Sequence, residues 1–172
     1  SIVLDKMLNP PKDMTQVGSP FVAMYLFAAM EKMGYADKII EAIHKYYDPM
    51  LEAGATTVWE SFPSGTTGHG GFPTRSHTHA WSSAPILFLN RIVLGILPEA
   101  PGSTSFTISP RLNGLTWAKG ASATPHGPVE VSWKVDGTTV IIDAKAPKGV
   151  RVHFEPNEAL KEFKVVFNGT KQ

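Results

Sequence analysis

The sequence predicts an α+β chain in two parts, helices over residues 1–101 and a small antiparallel β-sandwich over residues 102–172. Three observations carry that prediction. Apolar residues recur with a period near 3.6 in the first part and with a period of two beyond Gly102, the repeats of helix and strand. The change falls at Pro98 and Pro101-Gly102, residue types that interrupt regular structure. Between the second and third helical patterns lies Gly54 to Pro85, GATTVWESFPSGTTGHGGFPTRSHTHAWSSAP. This stretch is too long for an ordinary connection. With Trp59, Phe62, Phe72 and Trp81 it is also too aromatic for a disordered linker. It reads as a binding loop.

The first helix is predicted to start at Pro20, with Ser19 as its N-cap, and to stop at Gly34. Phe21, Met24, Tyr25 and Ala28 follow at i, i+3, i+4 and i+7. A second helix fits Asp37 to Ala53, with Ile39, Ile40, Ile43, Tyr47, Met50 and Leu51 as its buried stripe and Gly54 after its end. Pro49 is expected to kink or restart it, because proline lacks the backbone donor and crowds the preceding turn. The short link between these helices implies an antiparallel αα-hairpin. A third helix fits Ser83 to Leu94 and is apolar almost all round. Such a helix needs neighbours on every side, more than this chain's own helices supply. A further portion of helical domain is therefore expected.

In the second part Phe106 and Ile108 alternate with polar residues, as do Val129, Val131, Trp133 and Val135. Asp136-Gly137 then predicts a hairpin turn into Thr138 to Ala144. Short strands near Gly149 to Phe154 and Lys164 to Phe167 complete the predicted sandwich. Pro110, Pro125, Pro128 and Pro147 fall between strands, where proline is tolerated.

Composition narrows the function. The 172 residues are 42% hydrophobic, enough for one ordinary domain or two small ones. Sixteen Lys and Arg offset fifteen Asp and Glu, and no basic cluster stands out, which argues against nucleic acid or a membrane surface as partner. No apolar run reaches the length of a membrane span. There is no cysteine, so thiol chemistry and disulfides are excluded. The chain starts at Ser1 without an initiator methionine, and an earlier segment is expected to have been cleaved or left out. A secreted or periplasmic location is expected. Asn168-Gly169-Thr170 matches a glycosylation acceptor, which matters only in a secreted eukaryotic protein.

The motifs GSPF, GATTVWE, SHTHAWSSAP, VLGILPEAPG, ISPRLNGLTWAKG and TPHGPVEVSW occur here in an order that resembles the C-terminal part of bacterial and fungal α-L-rhamnosidases of the GH78 type. The resemblance spans about Gly18 to Trp133. It implies the C-terminal helices of an (α/α)6 catalytic barrel followed by a β-sandwich, and hydrolysis of terminal α-L-rhamnose with inversion. It also implies that Glu60 of TTVWE is the general base and that His79 contacts the sugar. The family's usual HGWS is HAWS here, with Ala80 in place of glycine, which bears on substrate choice. No motif matches the family's general acid, which lies upstream, and twelve barrel helices exceed what this chain holds. The implied partners are a rhamnose-containing carbohydrate and the upstream portion of the same enzyme, and no cofactor is called for. The chain alone is expected to be inactive.

Read without the family, Glu60 after a helix end is ordinary solvated surface, though its place between Trp59 and Phe62 sets it apart. Trp59 and Trp81 suit either a sugar's apolar face or a core position. His77 and His79, two apart, would face the same way in an extended segment, with His69 nearby, as metal ligands do. No further ligand follows at a defined spacing, so no metal is expected. Two other functions fit the residues. A lyase acting on a rhamnose-linked uronic acid would depend on Arg75 or a histidine more than on Glu60. A non-catalytic carbohydrate-binding module would need no second carboxylate.

Overall fold

Ser19, in extended backbone at φ −145° and ψ 152°, leads the chain into α2 (Pro20–Lys32), which follows a short α1 (Ile2–Leu8). The Ser19 side chain makes no capping hydrogen bond, so the helix start rests on Pro20 in the first turn. These elements come from a computed structural model that describes residues 2–14, 17, 19–62 and 76–172. Two units are recognised, residues 1–88 and residues 89–172.

The buried face of α2 is Ala23, Leu26, Phe27 and Met30, one helical phase away from the stripe expected at Phe21, Met24, Tyr25 and Ala28. The sequence PFVAMYLFAAM is apolar on nearly every side, so two phases fit it equally and packing chooses between them. Phe27, fully buried, meets Phe88 edge-on at 5.5 Å. Phe21 and Tyr25 are left exposed. The helix ends as a glycine cap requires. Gly34 has φ +80°, and the next residue, Tyr35, donates its N–H to Met30 O at 2.9 Å.

Helix α3 (Ala36–Glu52) buries Ile39, Ala42, Ile43, Tyr47 and Met50. Leu51, expected in that stripe, is exposed. The helix continues through Pro49 to Glu52. Proline removes only its own N–H, and one missing bond in the last turn does not end a helix already anchored by Tyr47 and Met50.

The expected helix over residues 83–94 divides into α4 (Ala84–Phe88) and a π-helical turn, Leu89–Val93. As expected of so apolar a helix with too few neighbours in this chain, it is enclosed on one side only. Ala84, Phe88, Ile92 and Val93 are buried, whereas Ile86, Leu87 and Leu89 are exposed.

In the second unit β1 (Ile96–Pro98), β2 (Ser105–Ile108) and β6 (Arg151–Phe154) form one sheet in the order β1-β2-β6. β3 (Trp117–Ser122), β4 (Val129–Asp136), β5 (Thr139–Lys145), β7 (Lys164–Phe167) and β8 (Thr170–Lys171) form a second, in that order. The break read from the sequence at 101/102 falls between β1 and its partner β2. The hairpin signal holds. Asp136 pairs with Thr139 across Gly137-Thr138, and Gly137 has the positive φ, 58°, that tight hairpin turns favour. Not every pairing is antiparallel as expected: β2 pairs with β6 and β5 with β7 in parallel. These partners are distant in sequence, so no hairpin turn sets their direction.

Alternation places Val129, Val131 and Trp133 of β4 and Val140, Ile142 and Ala144 of β5 in the core. The Trp133 indole N–H reaches Val93 O at 2.8 Å, which satisfies the ring's only polar group. Asn168, the glycosylation candidate, uses both ends of its carboxamide on Ala144: Oδ1 accepts from its N–H and Nδ2 donates to its carbonyl. That engagement gives the residue a structural role.

Glu99, just after β1, accepts from the Ser105 hydroxyl and, at 3.0 Å, from Thr107 Oγ1, and lies 3.1 Å from His153 Nε2. The Ser105 bond first, then Thr107 and the charges of His153 and Arg151, hold its carboxyl below the ordinary 4.5, against an opposing push from desolvation. A lowered folded pKa gives stability that is present at neutral pH and lost as pH falls through the folded value. Replacing Glu99 by Gln is therefore expected to lower Tm at pH 7. The difference from the unsubstituted protein should shrink as pH drops below about 4.5 and vanish beneath the lowered value, and a calorimetric pH series measures it.

Candidate functional site

Two short arms close the base of the long loop. His79 N donates to Val58 O at 3.0 Å and Glu60 N to Ser76 O at 3.0 Å. The Thr57 hydroxyl donates to His77 O, and the Thr57 and Thr78 hydroxyls meet at 3.3 Å. Val58 to Glu60 is two steps and Ser76 to His79 is three, so the second arm holds one extra residue, as at a bulge. The closure brings Glu60 and His79 onto opposite arms of one short ladder, although 19 positions separate them in sequence. His69, Phe72 and Arg75 lie outside the described residues.

Glu60 stands between two buried rings. Trp59 is 6% exposed, with its ring 4.7 Å from that of His77. Phe62 is buried, stacked on Tyr46 at 5.3 Å and edge-on to Tyr47 at 5.4 Å. Glu60 and Ser61, the two residues between the buried rings, are both half-buried. The Glu60 carboxylate has no hydrogen-bonding or ionic partner among the described residues. A carboxylate so placed can take a proton from water.

On the other arm His79, half-buried and in extended backbone, starts the 3₁₀ turn Ala80–Ser82. Its ring lies 4.2 Å from Trp81, which lies 5.1 Å from Phe21, which in turn meets Tyr25 at 5.3 Å. Trp81 is 46% exposed, so of the two candidate tryptophans it is the open one and Trp59 fills the core. Sequence reading missed Phe21 and Tyr25 as part of this row because both fit a plausible core stripe. Among the described residues no three His, Asp or Glu side chains gather where a metal ion could sit.

Behind the ladder, Ser82 is fully buried, its hydroxyl donating to Trp59 O at 2.7 Å. The Tyr47 hydroxyl donates to Ser82 O at 3.1 Å. Burial pushes the Tyr47 phenol up, so it stays a protonated donor. A cavity of about 600 Å³ in the second unit is lined by Trp117, Lys119, Glu130, Asp143 and Lys145 among others, and holds none of the candidate residues.

Comparison with known proteins accounts for both halves. Residues 13–93 match the family described as the bacterial alpha-L-rhamnosidase 6 hairpin glycosidase domain, and residues 95–163 the bacterial alpha-L-rhamnosidase C-terminal domain. A curated relative, the alpha-L-rhamnosidase of Alteromonas sp. (strain LOR), is 29% identical over 149 residues, which are 81% of this chain and 16% of that protein. The crystal structure of the GH78 family rhamnosidase of Bacillus sp. GL1 superposes with a TM-score of 0.82 at 33% identity, over 96% of this chain and 18% of that one. The alpha-L-rhamnosidase from Dictyoglumus thermophilum shares the fold, with a TM-score of 0.70 at 22% identity over 95% of this chain and 18% of its own. The chain thus spans less than a fifth of the length of these relatives.

The geometry makes Phe62 the anchor of the arm that carries Glu60. Replacing Phe62 by Ala opens a cavity against Tyr46 and Tyr47 and is expected to cost roughly 3 to 5 kcal/mol of unfolding free energy. Denaturant unfolding checks it, and a loss below about 1 kcal/mol would show that the ring is not a packing anchor.

Proposed function

We propose, from a chain that belongs to the bacterial α-L-rhamnosidases of the GH78 type as part of their six-hairpin glycosidase domain plus the C-terminal domain, that it supplies the general base and part of the sugar site for inverting hydrolysis of terminal α-L-rhamnose. The observation that carries this reading is the half-buried Glu60, unpartnered among the described residues and held beside the arm bearing His79 and the open Trp81. Inversion needs two carboxyl groups roughly 6.5 to 9.5 Å apart, one protonated to help the leaving oxygen depart and one ionised to activate water. Glu60 takes the second role. It accepts the proton of a water that attacks the anomeric carbon as the glycosidic bond breaks on the opposite face. The general acid belongs to the portion of the enzyme outside this chain.

His79 and Trp81 suit a neutral sugar. Imidazole exchanges hydrogen bonds with hydroxyls, and an exposed indole covers the apolar face of a pyranose. The exposed Phe21, Tyr25, Ile86 and Leu87 are the faces against which the rest of the barrel packs. The enzyme's compartment is proposed to be extracytoplasmic.

In the intact enzyme, Glu60→Ala is expected to lower kcat by roughly two to four orders of magnitude while KM changes little, since a base acts in the transition state. Azide, which needs no base, is expected to restore part of the turnover. NMR of the wild-type reaction at early times should show the β-anomer; an initial α-anomer would mean retention and would exclude Glu60 as a water-activating base. Activity on a uronate polymer in place of an aryl rhamnoside would point instead to a lyase. His79→Ala is expected to weaken sugar binding by roughly 1 to 3 kcal/mol with the fold intact. Unchanged KM and kcat would remove His79 from the site.

A further inference from the structure

We infer that Ser82 is a positioning residue for Glu60, acting through the peptide unit that joins Trp59 to Glu60. The inference rests on the reading of Glu60 as the base. A peptide unit is planar, so fixing both its ends fixes where the next Cα sits and the N–Cα bond from which its side chain is hung. Here the carbonyl end, Trp59 O, accepts from Ser82 Oγ at 2.7 Å, and the amide end, Glu60 N, donates to Ser76 O at 3.0 Å. The first bond is fully buried and the second closes the loop base.

Ser82 is itself fastened on two sides. Its N–H donates to His79 O at 3.1 Å, and its carbonyl accepts from Tyr47 Oη at 3.1 Å. Tyr47 comes from the C-terminal half of α3, so the orientation of Glu60 is referred to a helix rather than to the loop that follows it. One buried serine thus bonds the peptide unit leading into Glu60 and the carbonyl of His79 at once. A serine serving only to satisfy a buried carbonyl would support the core equally whether or not residue 60 carries a carboxylate. A positioning serine matters to catalysis only when the carboxylate is there.

That difference is measurable in the intact enzyme with an activated aryl rhamnoside, by a cycle of Ser82→Ala and Glu60→Ala. Ser82→Ala keeps the N–H bond to His79 O, so KM should change little, whereas a carboxylate displaced by a fraction of an ångström should lose roughly ten- to a hundredfold in kcat. In the Glu60→Ala background the same substitution should change the residual kcat by less than about twofold. Equal loss in both backgrounds, or no loss in either, overturns the inference. Glu60→Ala without loss of kcat overturns the base assignment instead, and is read from that variant alone. If Ser82→Ala does not fold, as judged by circular dichroism, Tyr47→Phe replaces it, since it removes only the outer donor. A severalfold loss of kcat confined to the Glu60-containing enzyme supports the inference, and an unchanged or background-independent rate overturns it.

Discussion

The candidate site depends on one constraint: Trp59 and Phe62 are both driven into the core of the helical unit, and Glu60 is therefore held at its edge. Burying two large aromatic side chains is worth several kcal/mol in transfer free energy. The rings fix the segment, and the hydrogen bonds of the loop base hold the backbone on either side of Glu60.

Much of the fold was legible because the chain changes period where it changes structure. The glycines after α2 and α3, the Gly137 turn and the alternation in β4 and β5 are local signals, and local signals are what periodicity reads. Three features were not legible. The face that α2 buries depends on its partners, because Phe21 and Phe27 are equally apolar. The parallel pairings of β2 with β6 and β5 with β7 join segments far apart in sequence, and nothing within either segment specifies its partner. The π-helical turn after α4 breaks a pattern that had looked like one helix, a change that composition does not announce.

The site divides in the same way. Glu60 stood out from its position between aromatics, and its assigned role came from the order of motifs around it. Trp59 and Trp81 could not be told apart as letters. The structure separates them, one filling the core and one open: Trp81 lies beside Phe21, and Trp59 lies against His77. Ser82 passed as an ordinary residue near a helix start, and Tyr47 as one member of a buried stripe. Each is unremarkable alone; the bonds they share are what connect them to Glu60.

The exposed apolar residues of the helical unit complete this picture. Phe21, Val22, Tyr25, Ile86 and Leu87 are all exposed apolar side chains of this unit. Two of them, Phe21 and Tyr25, continue directly from Trp81 and His79 in one row of rings. A row that begins beside the proposed base and runs onto a helix face awaiting a neighbour has two uses at its two ends. On the proposed reading, its rings near His79 meet the sugar, and those farther along α2 meet another hairpin. On that reading the wall that covers the far end also shapes the near one, so the site is finished by the same packing that closes the barrel.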